Sequence, residues 1–364
     1  MDRYAAAGVD TAAGDTAVEL MKRSVAATHG PQVLGGVGGF AGLWDASALL
    51  GFRRPVLATS TDGVGTKIAI AQAMDVHGTI GQDLVGMVVD DIVVVGARPL
   101  FMTDYIACGR VVPERIAAIV EGIATACAAT RTALVGGETA EHPDLIAPDD
   151  YDVAGAAVGV VEADRLLGPD RVREGDAVLA LASSGLHSNG YSLVRRIVRD
   201  AGLRYDTRIE DYGTTLGEAL LEPTRLYTAP LLDVLDGACG DAVHALSHVT
   251  GGGLAANLAR VLPKGVRVDV DRSTWTPTPV FSVLAGLGRF PLTDVEGAWN
   301  LGIGMFAIVD AGAAADVAAA LSAAGVPTWQ AGVVTPVGDE QDGDVRGAKG
   351  VDGGTARLVG AYAP

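Results

Sequence analysis

The sequence predicts an α/β protein built as two domains, and three observations carry that expectation. Apolar, strand-like runs end repeatedly in Gly/Ser/Thr turns that lead into helical patterns. The chain, at 364 residues, is too long for one ordinary hydrophobic core. A polar, turn-rich stretch around 164–175 (Gly168-Pro169-Asp170, then Glu174-Gly175-Asp176) interrupts the periodic segments midway. We therefore expect an N-terminal domain over residues 1–170 and a C-terminal one over 171–364.

The elements follow in order. Residues 15–27 carry Val18, Met21 and Val25 at helical spacing, with Asp15 as the cap. A glycine-rich run, Gly35-Gly36-Val37-Gly38-Gly39-Phe40-Ala41-Gly42, comes next. Pro55–Thr59 reads as a buried strand running into Thr61-Asp62-Gly63-Val64-Gly65-Thr66-Lys67. Over 79–97, a helix aligns Leu84, Val88, Asp91 and Val95, so Asp91 is expected inside the apolar stripe, with Asp83 and Asp90 on a flanking face. Pro113 opens a helix whose inner side is Ile116, Val120, Ile123 and Cys127. Thr132–Gly136 is a strand ending in Gly136-Gly137-Glu138-Thr139, and Val153–Val161 alternates as a sheet strand does. The second half restarts with strand Ala177–Ala182, the loop from Ser183 to Gly190 and a helix from Tyr191. His248-Val249-Thr250-Gly251-Gly252-Gly253 leads into a helix over Leu254–Leu262. The stretch 337–350 is Gly/Asp-rich and is expected to be a mobile loop before a short last strand.

The net charge of −17 disfavours nucleic acid and anionic membranes as partners, since both need clustered Lys and Arg. Any bound phosphate must be held by backbone N–H groups, helix N-termini, a metal or single cations. The three cysteines, Cys108, Cys127 and Cys239, show no zinc-ligand spacing and read as free thiols of a reducing cytoplasm. Met1-Asp2-Arg3-Tyr4 begins no signal peptide, and no apolar run reaches membrane-spanning length.

The strand–turn–helix unit recurs at 62–66, 136–138, 183–190 and 250–253, which favours a multi-phosphate ligand. No G-x-x-x-x-G-K-[ST] is present. Gly36-Val37-Gly38-Gly39-Phe40-Ala41 matches the dinucleotide pattern, but His29–Val33 is a poor preceding strand, and a lid over phosphates fits better. Asp62, at a strand end, and Asp91, on an apolar face, are the candidate magnesium ligands; a satisfied core carboxylate is the competing reading. Lys22 and Lys67 are candidates for offsetting phosphate charge, against the ordinary solvated lysine. His187, flanked by Ser184, Ser188 and Asn189, is a candidate acid, base or oxyanion group, against a histidine that only pins its loop. His248 reads as local structure, and His142 and His244 as surface residues.

At these residues the chain closely resembles the phosphoribosylformylglycinamidine cyclo-ligase (aminoimidazole ribonucleotide synthetase) family. The matching text includes Tyr4…Ala7-Gly8-Val9-Asp10, Gly35–Phe40, Thr61–Lys67, Asp83-Leu84-Val85…Asp91 and Gly136-Gly137-Glu138-Thr139-Ala140-Glu141. It continues through Asp152–Gly155, Ser183–Arg195, Glu222-Pro223-Thr224-Arg225, His248–Gly253 and Asn300–Met305, in order over roughly residues 4–330. The resemblance implies two α/β domains and a homodimer whose N-terminal sheets join into a barrel. It implies ATP-dependent cyclisation of formylglycinamidine ribonucleotide to 5-aminoimidazole ribonucleotide, with magnesium, through an imino-phosphate. It assigns ATP to Lys22, Gly38, Gly39, Phe40, Asp62, Gly63, Thr66, Lys67, Asp91, Gly137 and Glu138, and catalysis to His187, Asp62 and Lys67. The ribonucleotide falls to Ser184, His187, Ser188, Asn189, Thr250, Gly251 and Gly252. Three residues depart from the family pattern: Asp90 for Asn, His142 for Met and Trp299 for Phe. Relatives such as selenophosphate synthetase or a hydrogenase-maturation protein need a cysteine near one terminus that this chain lacks. A nicotinamide oxidoreductase and a non-catalytic binding protein are the remaining alternatives.

Overall fold

A computed structural model describes residues 10–36 and 38–363. The motif residues Tyr4, Ala7, Gly8 and Val9, and Val37 of the glycine-rich run, lie outside them. The chain divides into two compact units, one reaching Val93 and resuming over Ala97–Asp164, the other comprising Val94–Gly96 and Arg165 onward. Among the described residues no helix is long and apolar enough to cross a membrane.

The first unit contains α1 (Thr11–Ala26), a hairpin of β1 (Val33–Leu34) and β2 (Leu43–Trp44), β3 (Pro55–Gly63), α2 (Ile68–Met74), α3 (Gly78–Val93), β4 (Arg98–Cys108), α4 (Pro113–Ala129), β5 (Ala133–Glu141) and β6 (Tyr151–Glu162). Its four-stranded sheet runs β3-β6-β4-β5, antiparallel except for the parallel β4–β5 pair. α1 starts earlier than the periodicity indicated. Its cap is Asp10, whose carboxylate accepts from the N–H groups of Ala12 and Ala13, so Asp15 lies inside the helix. The inner side of α4 is as its spacing predicts, with Ile116, Val120, Ile123 and Cys127 all buried.

Two other expectations change. β3 is not buried on both faces. Its residues alternate, and Leu57 stands exposed on the same sheet face as the exposed Tyr105 of β4, a face that no helix of the described residues covers. β5 does not turn after Gly136 but continues as a strand to Glu141. Gly137 is small there for a steric reason: a Cβ on it would lie 2.2 Å from Asp104 Oδ1 on the neighbouring strand.

The second unit holds β7 (Ala177–Ala182), α5 (Tyr191–Asp200), β8 (Arg208–Ile209), β9 (Thr214–Thr215), α6 (Leu216–Leu220), α7 (Thr228–Leu235), β10 (Val243–His248), α8 (Gly253–Ala259), β11 (Val266–Asp271), α9 (Pro279–Gly288), β12 (Ile303–Val309), α10 (Ala314–Ala323), β13 (Thr328–Pro336), β14 (Val345–Ala348) and β15 (Val351–Val359). The seven-stranded sheet has the order β10-β12-β7-β13-β11-β15-β14. The Gly/Asp-rich stretch is not a free loop. Buried Arg267 donates to Asp339 O (3.0 Å) and to Asp344 Oδ2 (2.5 Å), and Val345–Ala348 pairs with β15 as a hairpin. One arginine thus supplies the partner that composition could not show. His244 is also inside rather than on the surface, its Nδ1 2.7 Å from buried Asp176, and His142 is half-buried with Nε2 3.0 Å from Tyr105 Oη.

Burial pushes the Asp104 carboxyl up to about 7 from its ordinary value of 3.8. A carboxyl that titrates higher folded than unfolded contributes its stability fully below about pH 4 and loses it as pH rises through about 7. The difference corresponds to a loss on the order of 4 kcal/mol above that range. We predict that Asp104→Asn, which cannot ionise, flattens the fall in melting temperature between pH 5 and pH 8. Parallel pH-dependent melting curves for the two proteins would contradict this.

Candidate functional site

In the first unit, the register lines up Asp62, Gly155, Asp104 and Gly137 as one row across β3, β6, β4 and β5. Asp62 and Gly137 therefore sit on the two edge strands, three strand spacings or about 14 Å apart. At the β3 edge Asp62 is exposed, and its Oδ1 accepts from Gly63 N–H at 2.7 Å, which turns the chain out of the strand. Gly65, at φ +72°, and a short 3-10 turn over Gly65–Lys67 bring Lys67 back under the turn. Thr66 remains exposed.

Lys67 is the main surprise at this edge. It is 0% exposed, and its Nζ donates to the equally buried Asp83 Oδ1 at 2.8 Å. The ammonium expected to face phosphate instead faces a carboxylate of α3. Asp91 moves the opposite way. It is exposed, whereas Asp83 and Asp90 are buried. Twelve of the sixteen residues of α3 are buried, because the helix packs on both the sheet and α4. An apolar stripe drawn on such a helix has little polar face to oppose it, and α3 ends at Val93, so Asp91 falls in its open last turn.

At the β5 edge the other expected residues gather. Gly38, Gly39 and Phe40 lie in the loop between β1 and β2, with Phe40 fully exposed. This is a hairpin rather than a strand–loop–helix unit, so the dinucleotide pattern lacks its structural context. A Cβ on Gly42 would lie 2.6 Å from Val135 O, so the hairpin rests on β5, the strand bearing exposed Glu138. α1 joins the same strand: Thr28 Oγ1 accepts from Leu134 N–H at 3.0 Å, and Asp10 N–H donates to Glu141 at 2.6 Å. Lys22 projects from α1, exposed, 3.5 Å from Glu19. Sequence reasoning missed a cleft of about 520 Å³ beside this hairpin, lined in part by Gln32, Trp44, Phe52, Arg98 and Arg131. Those residues are scattered in sequence and carry no motif. Among the described residues no group of three or more His, Cys, Asp or Glu is arranged to hold a metal.

In the second unit, β12 lies antiparallel between β10 and β7. The ends of β7 and β10 and the start of β12 therefore meet at one edge, bringing together Ser183–Gly190, Thr250–Gly253 and Asn300–Gly302. A Cβ on Gly251 would lie 3.5 Å from Asn189 Oδ1, so the first two loops are neighbours. Ser184 Oγ donates to Pro223 O at 2.6 Å, which ties in the Glu222–Arg225 segment. Asn257 Nδ2 donates to both Thr250 O and Gly253 O. Gly252 and Gly253 have φ of +108° and +71°, and a Cβ on Gly253 would overlap Glu296 O at 1.7 Å. Trp299 is fully buried and closes on Gly190, where a Cβ would lie 2.4 Å from its ring.

His187 is not an open loop histidine. It is 0% exposed with φ +60°, and its Nε2 accepts from Ser184 N–H at 3.2 Å. Its ring lies 6.1 Å from that of Tyr227, whose hydroxyl donates to Ala182 O at 2.8 Å. In this geometry the imidazole holds the turn from below. Cysteine nucleophiles are poorly served: Cys108 and Cys127 are buried, and burial pushes both thiols up, Cys108 to about 11.

Residues 44–161 match the family described as "AIR synthase related protein, N-terminal domain", and residues 173–343 match its C-terminal domain. A phosphoribosylformylglycinamidine cyclo-ligase of Geobacillus sp. (strain WCH70) is 50% identical over 310 residues, covering 85% of this chain and 88% of the relative. One from Sorangium cellulosum (strain So ce56) is 48% identical over 337 residues, covering 92% and 96%. Among solved structures, thiamine-monophosphate kinase from Stenotrophomonas maltophilia K279a superposes with TM-score 0.61 at 20% identity, covering 95% of this chain and 97% of that one. The hydrogenase maturation protein HypE of E. coli superposes with TM-score 0.63 at 17% identity, covering 98% and 95%. These two likenesses concern the fold.

The buried pair generates a test. Removing one partner strands a charge, which costs about 3–5 kcal/mol, whereas replacing both with apolar residues is often near neutral. We predict that Lys67→Met destabilises the protein by that amount and that Lys67→Met with Asp83→Leu recovers most of it. Denaturant unfolding reads both; a double variant no more stable than the single one would show that Lys67 does not depend on Asp83.

Proposed function

Because the chain belongs to the phosphoribosylformylglycinamidine cyclo-ligase family, we propose that it closes the imidazole ring of 5-aminoimidazole ribonucleotide. The substrate is formylglycinamidine ribonucleotide, and ATP becomes ADP and phosphate. The observation that carries this reading to particular residues is the meeting of the Ser183–Gly190 and Thr250–Gly253 loops at one sheet edge of the second unit. These loops bring Asn189, Thr250 and the exposed Gly251-Gly252 backbone together as a polar surface suited to a ribonucleotide phosphate and a formyl oxygen, with Ser184, held by Pro223 O, and the buried hydroxyl of Ser188 behind it.

ATP belongs, in this reading, to the first unit. The β1–β2 loop with Gly38, Gly39 and Phe40, together with Lys22, Gly137 and Glu138, serves the β5 edge. Asp62, Gly63 and Thr66 serve the β3 edge, a span that an extended nucleotide triphosphate can bridge. Asp62 and Asp91 are exposed carboxylates, the hard oxygen donors that magnesium prefers, and phosphate and water oxygens would complete its shell. When bound, magnesium offsets charge on the transferred phosphoryl group. Lys67 acts by bracing the Asp62 turn rather than by touching phosphate.

The chemistry has a simple requirement. An amide oxygen is a poor leaving group and phosphate a good one, so ATP first phosphorylates the formyl-amide oxygen to an imino-phosphate. The amidine nitrogen then attacks that carbon, and the C–O bond breaks with release of phosphate. Donors of the Ser183–Asn189 loop hold the oxygen as charge builds on it. The exposed sheet face bearing Leu57 and Tyr105 suits pairing with a second copy as a homodimer, and the same reading makes this a cytoplasmic enzyme.

Two outcomes test the proposal. ADP release should depend on formylglycinamidine ribonucleotide and match the appearance of a product detected by its aromatic amine; ADP formed at the same rate without the ribonucleotide would overturn it. His187→Ala should lower turnover by about two powers of ten or more and also lower the melting temperature, with magnesium-ATP affinity little changed. Lost turnover at an unaltered melting temperature would return His187 to a direct acid or base role.

A further inference from the structure

We propose that Asn300 is a positioning residue for the ribonucleotide, setting the backbone of the Ser183–Gly185 turn through its buried carboxamide. The inference rests on the reading of that loop as the substrate side. Asn300 is 3% exposed and uses both ends of its side chain. Nδ2–H donates to Gly185 O at 2.8 Å, while Oδ1 accepts from Ser183 Oγ at 3.2 Å and from Gly302 N–H at 3.0 Å. A single amide thereby joins the chain leaving β7 to the chain entering β12. The backbone repeats the tie, with Ser183 N–H donating to Gly302 O at 2.9 Å.

The geometry around it is strained and supported. Leu301, next in sequence, has φ +47°, a left-handed conformation that is unfavourable for a non-glycine residue. The Leu301 carbonyl accepts from Trp275 Nε1–H at 2.9 Å, which holds that conformation. On the other side His187, also left-handed, accepts from Ser184 N–H. The loop carries no charged side chain between Ser183 and Gly190, so its hold on an anion depends on where its N–H and hydroxyl groups point. Strands β7 and β12 are already paired through Ala182 and Ile303, so the amide is not needed to hold the sheet together. Two of its three bonds go to the turn.

Residue chemistry narrows the choice at this position. Gly185 O requires a donor, while Ser183 and Gly302 require an acceptor, and a carboxamide supplies both. Aspartate has the same shape but offers no donor when ionised, and it would place a negative charge beneath a loop that receives a phosphate.

Steady-state kinetics on the intact enzyme tests this. Asn300→Asp and Asn300→Ala should raise KM for formylglycinamidine ribonucleotide by about tenfold or more, as expected when a buried polar group loses its partner. KM for ATP should stay within about twofold, and kcat should fall less than kcat/KM, the pattern of lost binding. Asn189→Ala, within the loop, serves as the control for the underlying reading. If Asn189→Ala leaves the ribonucleotide KM unchanged, the assignment of the loop to substrate is overturned. If Asn189→Ala raises it while both Asn300 variants do not, the role of Asn300 alone is overturned. A lowered melting temperature with unchanged KM values, or an equal rise in both KM values, assigns Asn300 to general structure and equally overturns it. Should the Asn300 variants not fold, Ser183→Ala removes one of the same bonds, and a ribonucleotide KM unmoved by it would count against the proposal.

Discussion

The turn that carries Asp62 depends on an ion pair sealed from water at both ends. Lys67 and Asp83 are each fully buried, and taking two such charges out of water costs several kcal/mol apiece unless they meet. That requirement links the end of β3 to the first half of α3 and fixes the path of Gly63–Thr66 between them. Because breaking the contact strips a buried charge of its counter-ion, alternative conformations of the turn are costly. Asp62 can stay exposed at the strand end because the residues after it are held so tightly.

The second unit meets the same need with neutral groups. Loops at the edge of β10, β12 and β7 expose backbone and hydroxyl donors, and buried polar side chains hold them from beneath: His187 under Ser184, Asn257 under Thr250, and Asn300 between Gly185 and Gly302. A second layer backs these in turn. Arg272 binds Glu296 through both guanidinium branches, Tyr362 donates to Glu296 Oε1 at 2.7 Å, and the Glu296 carbonyl accepts from Leu254 N–H just past the triple glycine. Neutral holders suit a surface meant for an anion, since a buried carboxylate close behind it would repel the ligand. Glu296 satisfies that condition because Arg272 offsets its charge.

Much of this was legible in the chain, and most of the exceptions share a cause. The α4 stripe, the limits of β7 and the start of α5 were legible because α4 and α5 keep an open face opposite their buried one, and β7 is a short unbroken apolar run, the pattern of a central strand. The loops at 183–190 and 250–253 were visible as glycine and hydroxyl clusters after apolar strands. Most of what the sequence misplaces is decided by partners distant in the chain. Gly136-Gly137 looks like a turn but is strand, because Asp104 fills the space a side chain would take. The stretch 337–350 looks mobile but is anchored by Arg267, about seventy positions earlier. Lys67 and His187 are polar residues in glycine-rich text, and nothing local says that Asp83 will draw Lys67 inward or that His187 will lie buried against Tyr227. The stripe drawn through Asp91 fails because α3 is buried on nearly every side, which removes the contrast between faces that such a stripe needs.

The same reasoning separates two kinds of glycine in this molecule. Gly252 and Gly253 adopt left-handed backbone, so any side chain there would be strained whatever the space around it. Gly137 and Gly155 lie in extended strands, and a Cβ on them would collide with Asp104 and Met102. The sequence places Gly137, Gly252 and Gly253 alike in strand–turn–helix units that favour a phosphate ligand. Physically, the strand glycines are bound to make room for side chains of this protein, so their presence says nothing about phosphate. The loop glycines bear on ligand chemistry through the path they give the backbone into α8, where Gly253 N–H donates to Thr250 O and Leu254 N–H to Glu296 O. A substitution to alanine should then act through core packing at Gly155, and through loop geometry at Gly252.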